Sequence, residues 1–201
     1  WEASGFLLEL VNEVLDMGKL ESGEIVLEER SFDLHAMLTE IVDVVDKQAR
    51  ERGITIHTEE YQIDHPYLIG SPIHVKRLLM NIMSNSVKYG KDDGWIELDC
   101  HETDYKNGVA TIKFICKDNG IGMSKDFQEH IYEPFAQESN GARSIYGGSG
   151  LGMSIARSLA EEMGGSISFE SEQGVGSIFY ITLPFTVDKS TPVSEEKKGN
   201  E

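Results

Sequence analysis

Basic residues are scarce in this chain. Its 201 residues include 18 Lys and Arg against 35 Asp and Glu, which gives a formal net charge of −17 at pH 7. Proteins that track a nucleic-acid backbone need clustered Lys and Arg to displace its counterions. The composition therefore argues against nucleic acid as a partner, although a single small anion needs only a few local cations.

Long apolar runs are also missing. No run approaches the roughly 18 residues that a membrane span requires, and no signal peptide with a basic start and a small-residue cleavage site is present. The chain begins at Trp1, so we expect a fragment of a longer protein. We expect a cytoplasmic location for these residues, and the sequence leaves open whether the parent protein is membrane-anchored.

Cysteine is nearly absent. Cys100 and Cys116 lie in strand-like runs and lack the spacing of metal ligands. This pattern predicts reduced thiols in the core of a cytoplasmic protein rather than a disulfide.

Apolar residues recur at helical spacing in four segments, namely residues 4–20, the stretch between Asp33 and Gly53, the stretch from Ser71 to Tyr89, and Ser154 to Met163. Ser31 or Asp33 can cap the second helix, and Ser71-Pro72 is a suitable start for the third. The first segment has the pattern of the end of a longer helix.

Alternation of polar and apolar residues predicts the strands. It occurs briefly in "EIVLEERSFDL" and again at Ile54–Thr58, Tyr67–Gly70, Trp95–His101, Val109–Asp118 and in the hairpin "SISFESEQGVGSIFYITLPF". The strands pair mainly as hairpins, so we predict an α+β fold, a two-layer α/β sandwich with a mixed, mainly antiparallel sheet covered on one face by helices. A helical segment precedes it, and a polar tail, "VDKSTPVSEEKKGNE", follows it.

The stretch "KDNGIGMSKD" begins where the predicted strand Val109–Asp118 ends, and the last residue of that strand is an acid, Asp118. Asp118 continues the apolar face of that strand, so its carboxylate must find a hydrogen-bond donor. An ionised carboxylate only accepts hydrogen bonds, which suits the exocyclic amine of adenine and not the oxygen of guanine. Gly120 and Gly122 would let the backbone approach a flat base. Taken alone, the stretch is equally typical of a hairpin corner.

In "LLMNIMSNSVKYG" a helical wheel places Asn81, Asn85 and Lys88 on one side, opposite an apolar side that includes Ser86. The polar stripe is either a solvated face or a site where Asn85 binds Mg²⁺ and Lys88 meets phosphate oxygens. Tyr89 could pack beside a base or within the core.

The stretch "GGSGLGMSIARSLAEEMGG" is a glycine-rich turn that opens into a helix, whose free N–H groups favour an anion. Just before it, "AQESNGARSIYG" has the small and polar residues of a mobile lid. Arg143 in this lid is either a solvated loop residue or a phosphate clamp.

In this order and spacing, "NIMSNSVKY", "DNGIGM", "YEPF" and "GSGLGM" resemble the N, G1, F and G2 boxes of the sensor histidine kinases. Their ATP-binding domain has the Bergerat-type fold shared with gyrase B, the heat-shock chaperone ATPases and MutL. The resemblance covers about Gly23 to Phe185, and "LVNEVLDMGKLESG" resembles the end of the second helix of the dimerisation and phosphotransfer domain. It implies three segments: residues 1–22 from that helix, 23–186 as the catalytic ATP-binding domain, and 187–201 as a linker or tail.

The resemblance also implies roles for single residues. Asn85 would hold Mg²⁺, Asp118 would read adenine, and Phe135 would anchor the near end of the lid. Lys88 and Arg143 would contact phosphates and, with Asn81, form the catalytic set. The other implied ATP-binding positions are Tyr89, Gly120, Gly122, Gly148, Gly150, Leu151 and Gly152.

Two departures from the family pattern bear on activity. Asn81 stands where the ATP-hydrolysing relatives carry a glutamate that activates water, and an amide cannot act as a general base. The phosphoacceptor motif, a histidine followed by an acid and then Leu, Arg and Thr, is absent from the sequence, so this chain should not phosphorylate itself. A smaller departure is Ser86, where alanine is usual.

We therefore predict the ATP-binding domain of a sensor histidine kinase in a two-component system, which transfers the γ-phosphoryl group to a histidine on a dimerisation domain outside this chain. The alternatives are an ATPase of the gyrase B and heat-shock chaperone type, or a degenerate nucleotide-binding module that serves only for docking. The resemblance implies ATP and Mg²⁺ as ligands and, as partners, the phosphoacceptor helical domain of the parent and a response regulator or receiver domain. The parent would be a homodimer.

Overall fold

The computed structural model describes residues 11–138, apart from 13, 16, 20 and 21, and residues 148–190. From Arg30 onwards, the described residues form seven strands and four helices in the order β1 (Arg30–Asp33), α1 (Leu34–Arg50), β2 (Thr55–Thr58), β3 (Tyr67–Gly70), α2 (Pro72–Lys88), β4 (Trp95–Lys106), β5 (Val109–Asp118), α3 (Lys125–Gln128), α4 (Gly152–Glu162), β6 (Ser166–Glu172) and β7 (Gly176–Val187). Before them, residues 11, 12, 14, 15 and 17–19 are helical.

The strands form one sheet in the order β1-β3-β7-β5-β4-β2, with β6 also paired to β7. The pair β2–β4 is parallel, and the other pairs among the described strands are antiparallel. The predicted mixed, mainly antiparallel sheet is therefore confirmed.

The hydrophobic core lies between this sheet and the helices. In β5, Ala110, Ile112, Phe114 and Cys116 are buried, while the residues between them are partly exposed. The buried residues of α1, α2 and α4 belong to the same cluster as those of the strands. Helices thus cover one face of the sheet, as the two-layer prediction requires.

Local signals set most element boundaries. Asp33 caps α1 through its Oδ1, which accepts from the Ala36 N–H at 3.2 Å. Gly53, with φ of +67°, follows the helix. Ser71 precedes α2, but its hydroxyl makes no cap hydrogen bond, because it accepts from the Glu28 N–H at 3.1 Å. Ser71 is nevertheless the N-cap residue and Pro72 lies at the start of the first turn, as predicted.

The structure adds two features to the prediction. The strand β4 continues past His101 to Lys106, because pairing with β5 resumes after an irregularity between Glu102 and Asp104. The four-residue helix α3 is too short to show a helical period in the sequence.

Both cysteine thiols are free and buried, as predicted.

In the part of the chain that the structure describes, no helix is long and apolar enough to cross a membrane. The predictions for residues 1–10, for the lid residues 139–147 and for the tail beyond residue 190 lie outside the described residues.

Candidate functional site

Asp118 ends β5, and donors from the protein hold its carboxylate in place. The residue is only 9% exposed. The Gly120 N–H donates to Oδ1 at 2.9 Å, and the Ser86 hydroxyl donates to Oδ2 at 3.0 Å. An ionised carboxylate has about four lone-pair positions, so hydrogen bonding to a further donor is possible. The acid is thus fixed in place as an acceptor.

The loop after Asp118 is tied to the end of α2. The Ile121 N–H donates to the Tyr89 carbonyl at 3.0 Å. A Cβ added at Gly120 would lie 2.5 Å from that same carbonyl oxygen, and one added at Gly122, which has φ of +62°, would lie 1.9 Å from the Glu172 oxygen. Contacts within the protein therefore require both glycines, in addition to the close approach of a base that the sequence predicts.

The polar stripe of α2 borders this loop. Asn81, Asn85 and Lys88 are all partly exposed, while the opposite side of the helix is buried. The Nδ2 atom of Asn81 is buried and has no hydrogen-bond partner among the described residues. A buried donor without a partner is costly, so this amide suits an acceptor brought by a ligand.

Lys88 lies at the end of α2. Its Nζ is 5.0 Å from the centroid of the Tyr89 ring, and a Cβ added at Gly148 would come within 2.2 Å of the same Nζ. Among the described residues no carboxylate forms an ion pair with Lys88. The ammonium group of Lys88 therefore lies next to Gly148, at the C-terminal end of the lid, and it can bind an anionic oxygen.

Arg52, which the sequence analysis did not single out, holds the C-terminal end of α2. Its Nη1 donates to the carbonyl oxygens of Val87 at 2.6 Å and Lys88 at 2.9 Å, and its Nη2 donates to that of Gly90 at 2.8 Å. The last carbonyls of a helix lack partners within the helix. Arg52 supplies hydrogen-bond donors for these carbonyl oxygens and so fixes the backbone that carries Lys88 and Tyr89.

The two ends of the lid lie side by side. A Cβ on Gly150, which has φ of +74°, would be 2.7 Å from the backbone carbon of Phe135. The Gln137 side-chain amide donates to the Gly148 carbonyl. Phe135 itself is 62% exposed and has φ of +63°. The segment between these ends, which includes Arg143, lies outside the described residues, so the prediction for Arg143 is not tested.

The helix α4 begins beside the same site. Leu151 precedes it, is fully buried, and leaves the helix start without a side-chain cap or an acidic residue in the first turn. A Cβ added at Gly152 would lie 4.0 Å from Asn81 Oδ1, which places the helix start against the polar stripe of α2. The positive end of a helix favours an anion, and the first turn of α4 contains no acidic residue that would compete for it.

The described site thus has an acceptor end at Asp118 and a donor end formed by Asn81, Lys88 and the start of α4. This distribution fits a ligand with an amine at one end and phosphates at the other. Asn85 lies between Asn81 and Lys88 along α2 and offers a carbonyl oxygen of the kind that Mg²⁺ prefers. The described residues contain no group of three His, Cys, Asp or Glu side chains that could hold a metal, so a magnesium ion held by Asn85 would need further oxygen ligands from a bound molecule or from water.

Neither thiols nor histidines offer an alternative chemistry at this site. Burial raises the pKa of the Cys116 thiol to about 12, so it remains protonated and is not a nucleophile. Hydrogen bonds link His65 to Glu102, His101 to Asp99, His130 to Glu133 and His74 to Ser71.

Comparison with known proteins assigns the family. Residues 70–187 match the family described as histidine kinase-, DNA gyrase B-, and HSP90-like ATPase. The hybrid signal transduction protein dokA of Dictyostelium discoideum is 35% identical over 188 residues, covering 90% of this chain and 11% of dokA. The signal transduction histidine-protein kinase BarA of Escherichia coli K12 is 32% identical over 178 residues, covering 88% of this chain and 19% of BarA.

A solved structure supports the same assignment. Full-length ShkA in complex with AMPPNP superposes with a TM-score of 0.79 at 26% identity, covering 93% of this chain and 37% of ShkA.

The chain belongs to the histidine kinase-, DNA gyrase B-, and HSP90-like ATPase family. Within it, the similarity to BarA supports the prediction of a histidine kinase ATP-binding domain over the gyrase B alternative. The chain corresponds to only 11% of the length of dokA and 19% of that of BarA.

Proposed function

We propose that this chain binds Mg²⁺-ATP and transfers the γ-phosphoryl group to a histidine on a dimerisation domain of the same parent protein. The observation that carries the proposal is the polarity of the site, with the Asp118 carboxylate at one end and the donors of α2 and α4 at the other. Adenine presents an amine and the triphosphate presents anionic oxygens, so ATP matches both ends.

Each group of the site has a role in this proposal. Asp118 accepts from the adenine amine, and Tyr89 packs beside the base. Lys88, Arg143 and the N–H groups at the start of α4 bind phosphate oxygens, while the Asn81 amide donates to one of them. Gly148, Gly150 and Gly152 let the lid hinge, and Phe135 and Leu151 hold its two ends.

Asn85 would hold a magnesium ion, because its carbonyl oxygen is a ligand of the kind that Mg²⁺ prefers. When bound, Mg²⁺ supplies neutralisation of the charge on the phosphate oxygens. The chain itself aligns the triphosphate through Lys88 and the helix start, and Asn81 provides no base that could activate water. Phosphoryl transfer to an imidazole needs alignment and charge neutralisation rather than such a base, so the site favours a kinase over an ATPase.

The partners follow from the same proposal. We infer that residues 1–22 end the second helix of the dimerisation domain, that residues 23–186 form the catalytic domain, and that residues 187–201 are a linker or tail. Val11, Val14 and Leu15 are exposed apolar residues on helical backbone, which suits a helical bundle in a homodimeric parent. A response regulator or receiver domain would then take the phosphoryl group. The cytoplasmic location stays a prediction.

Calorimetry with Mg²⁺-ATP tests the proposal. The Asp118→Asn variant puts an amide where the adenine amine needs an acceptor, so we expect binding to weaken about 10- to 100-fold. Asp188→Asn is the matched control, because Asp188 is also a buried acid, 8% exposed against 9% for Asp118, and accepts from Ser190 at the other end of β7. Equal losses in both variants, or no ATP binding by the unchanged chain, would contradict the proposal.

A further inference from the structure

The turn between β6 and β7 packs on the loop that follows Asp118. The Gly174 N–H in this turn donates to the Ile121 carbonyl oxygen at 2.8 Å. A Cβ added at Gly176 would lie 2.0 Å from the Asp118 carbonyl oxygen. The two backbones are therefore in direct contact, and the position of the loop depends on that of the hairpin.

Gln128 ties the far end of this loop to the same hairpin. It is the last residue of α3 and is partly buried. Its Nε2 donates to the carbonyl oxygen of Met123 at 3.0 Å and to that of Ser171, in β6, at 3.0 Å. Both partners only accept hydrogen bonds, so the amide nitrogen rather than the amide oxygen must face them, and each of its two protons is used.

The backbone of Gln128 is itself fixed next to the loop. Ser124 caps α3 through its Oγ, which accepts from the Phe127 N–H at 3.3 Å. The Gln128 N–H donates to the Ser124 carbonyl oxygen at 3.1 Å. Because Ser124 directly follows Met123, the side chain of Gln128 sets the distance between the end of the loop and β6.

The composition of the loop explains why it needs such a tie. Between Asp118 and Met123 it contains two glycines, and glycine loses more conformational freedom on ordering than any other residue. Met123 is only 2% exposed, so without the Gln128 amide its carbonyl oxygen and that of Ser171 would both lose a donor. A buried acceptor without a donor is destabilising, and the loop would have to move to reach water.

We infer that Gln128 is a positioning residue for the base end of the nucleotide. It acts through the loop, because holding Met123 against β6 also holds the Gly120 N–H, which donates to the Asp118 carboxylate at 2.9 Å. Its side-chain hydrogen bonds go to neither Lys88 nor α4, so the phosphate end should not depend on it. The inference rests on the proposed function, since ATP is the ligand proposed there.

Amide hydrogen exchange on the chain without nucleotide tests the first step. Gln128→Met keeps the length of the side chain and removes both donors. We expect the amide protons of Ile121 and Gly174 to exchange about ten-fold faster in the variant, because the loop opens locally more often. Those of Ile112 and Phe114, in the middle of β5, should exchange at the unchanged rate and thereby show that the fold is intact.

Calorimetry with saturating Mg²⁺ tests the second step by comparing ATP with tripolyphosphate, which has no base. We expect Gln128→Met to weaken ATP about five-fold and to leave tripolyphosphate unchanged. A residue that only supported the fold would weaken both ligands together.

The matched control is Gln173→Met. Gln173 lies in the turn between β6 and β7 and is exposed, and none of the hydrogen bonds described above involves its side chain. We expect this variant to change neither the exchange rates nor the affinities.

Three results would overturn the inference: unchanged exchange at Ile121 and Gly174 in Gln128→Met, faster exchange that extends to β5, or faster loop exchange without a selective loss of ATP affinity. Failure of the unchanged chain to bind ATP would instead overturn the proposed function, and the exchange rates would still decide whether Gln128 orders the loop.

Discussion

At the scale of single residues, Asn81 is the member of the site whose hydrogen-bond donor is buried without a partner. Its buried Nδ2 has no partner in the described structure. Such a group costs about 1–3 kcal/mol. A residue that lowers stability in the absence of ligand is expected where binding, rather than folding, determined the choice.

The variant Asn81→Ala separates these two roles. Removal of the unpaired donor should leave the free energy of unfolding equal or raise it by about 1 kcal/mol. Affinity for ATP should fall about ten-fold, because a hydrogen bond to a phosphate oxygen is lost. Urea unfolding and calorimetry measure the two quantities. A clear loss of stability would show that the amide has a structural role that the geometry does not reveal.

Cys116 makes stability depend on alkaline pH. Burial raises the pKa of its thiol from 9.0 to about 12 in the folded protein. The unfolded chain therefore releases this proton first, and the contribution of Cys116 to the free energy of unfolding should be constant below about pH 8.5 and fall as the pH rises towards 12.

Urea unfolding at pH 8, 9 and 10 checks this expectation. Each group that is protonated in the folded protein and ionised in the unfolded chain lowers the free energy of unfolding by at most about 1.4 kcal/mol per pH unit. Cys100, whose pKa burial also raises, adds to the slope, so Cys116→Ala should reduce the slope without abolishing it. Stability that rises between pH 8 and pH 10 would contradict the assignment of both thiols as buried and protonated.

Among the elements, α2 carries most of the site and depends on Arg52 for its C-terminal end. Three carbonyl oxygens accept from one guanidinium that is 23% exposed. Because the fork of donors is rigid, lysine can replace only part of this arrangement.

We expect Arg52→Ala to lower the free energy of unfolding by about 2–3 kcal/mol, and Arg52→Lys by about half as much. ATP affinity should fall in the same order, since Lys88 and Tyr89 lose their fixed backbone. Arg50→Ala is the control, because within the described part of the chain Arg50 pairs only with Asp46, and its side chain is 78% exposed. We therefore expect a change below about 0.5 kcal/mol. Similar effects for Arg50 and Arg52 would argue against the role given to Arg52.

The same elements show how far the sequence can be interpreted. The boundaries of β5 and the buried position of Asp118 follow from a strict two-residue period. The extension of β4 and the short helix α3 do not, because they depend on cross-strand pairing and on a single capped turn. Asp118 lies on the strand face, and Asn81, Asn85 and Lys88 lie on the helix face, that the local patterns predict. The contacts of Arg52 and Ser86 join residues about 30 or more positions apart, and no local period records such distances.

At the scale of the whole molecule, a strongly acidic chain presents a small donor region for one anionic ligand. The net charge is −17, yet the start of α4 has no acidic residue in its first turn and Lys88 has no ion pair among the described residues. Local placement of charge, rather than the overall balance, therefore permits a triphosphate to bind. The chain supplies the nucleotide site, and the acceptor histidine is expected on another domain.

Phosphate release from Mg²⁺-ATP by the isolated chain tests the central claim most directly, once calorimetry has established the concentration at which ATP saturates it. The account predicts saturable binding with negligible release, since Asn81 provides no base and the chain has no acceptor motif. Steady release above the rate without protein would contradict it and would identify the chain as an ATPase with a different base.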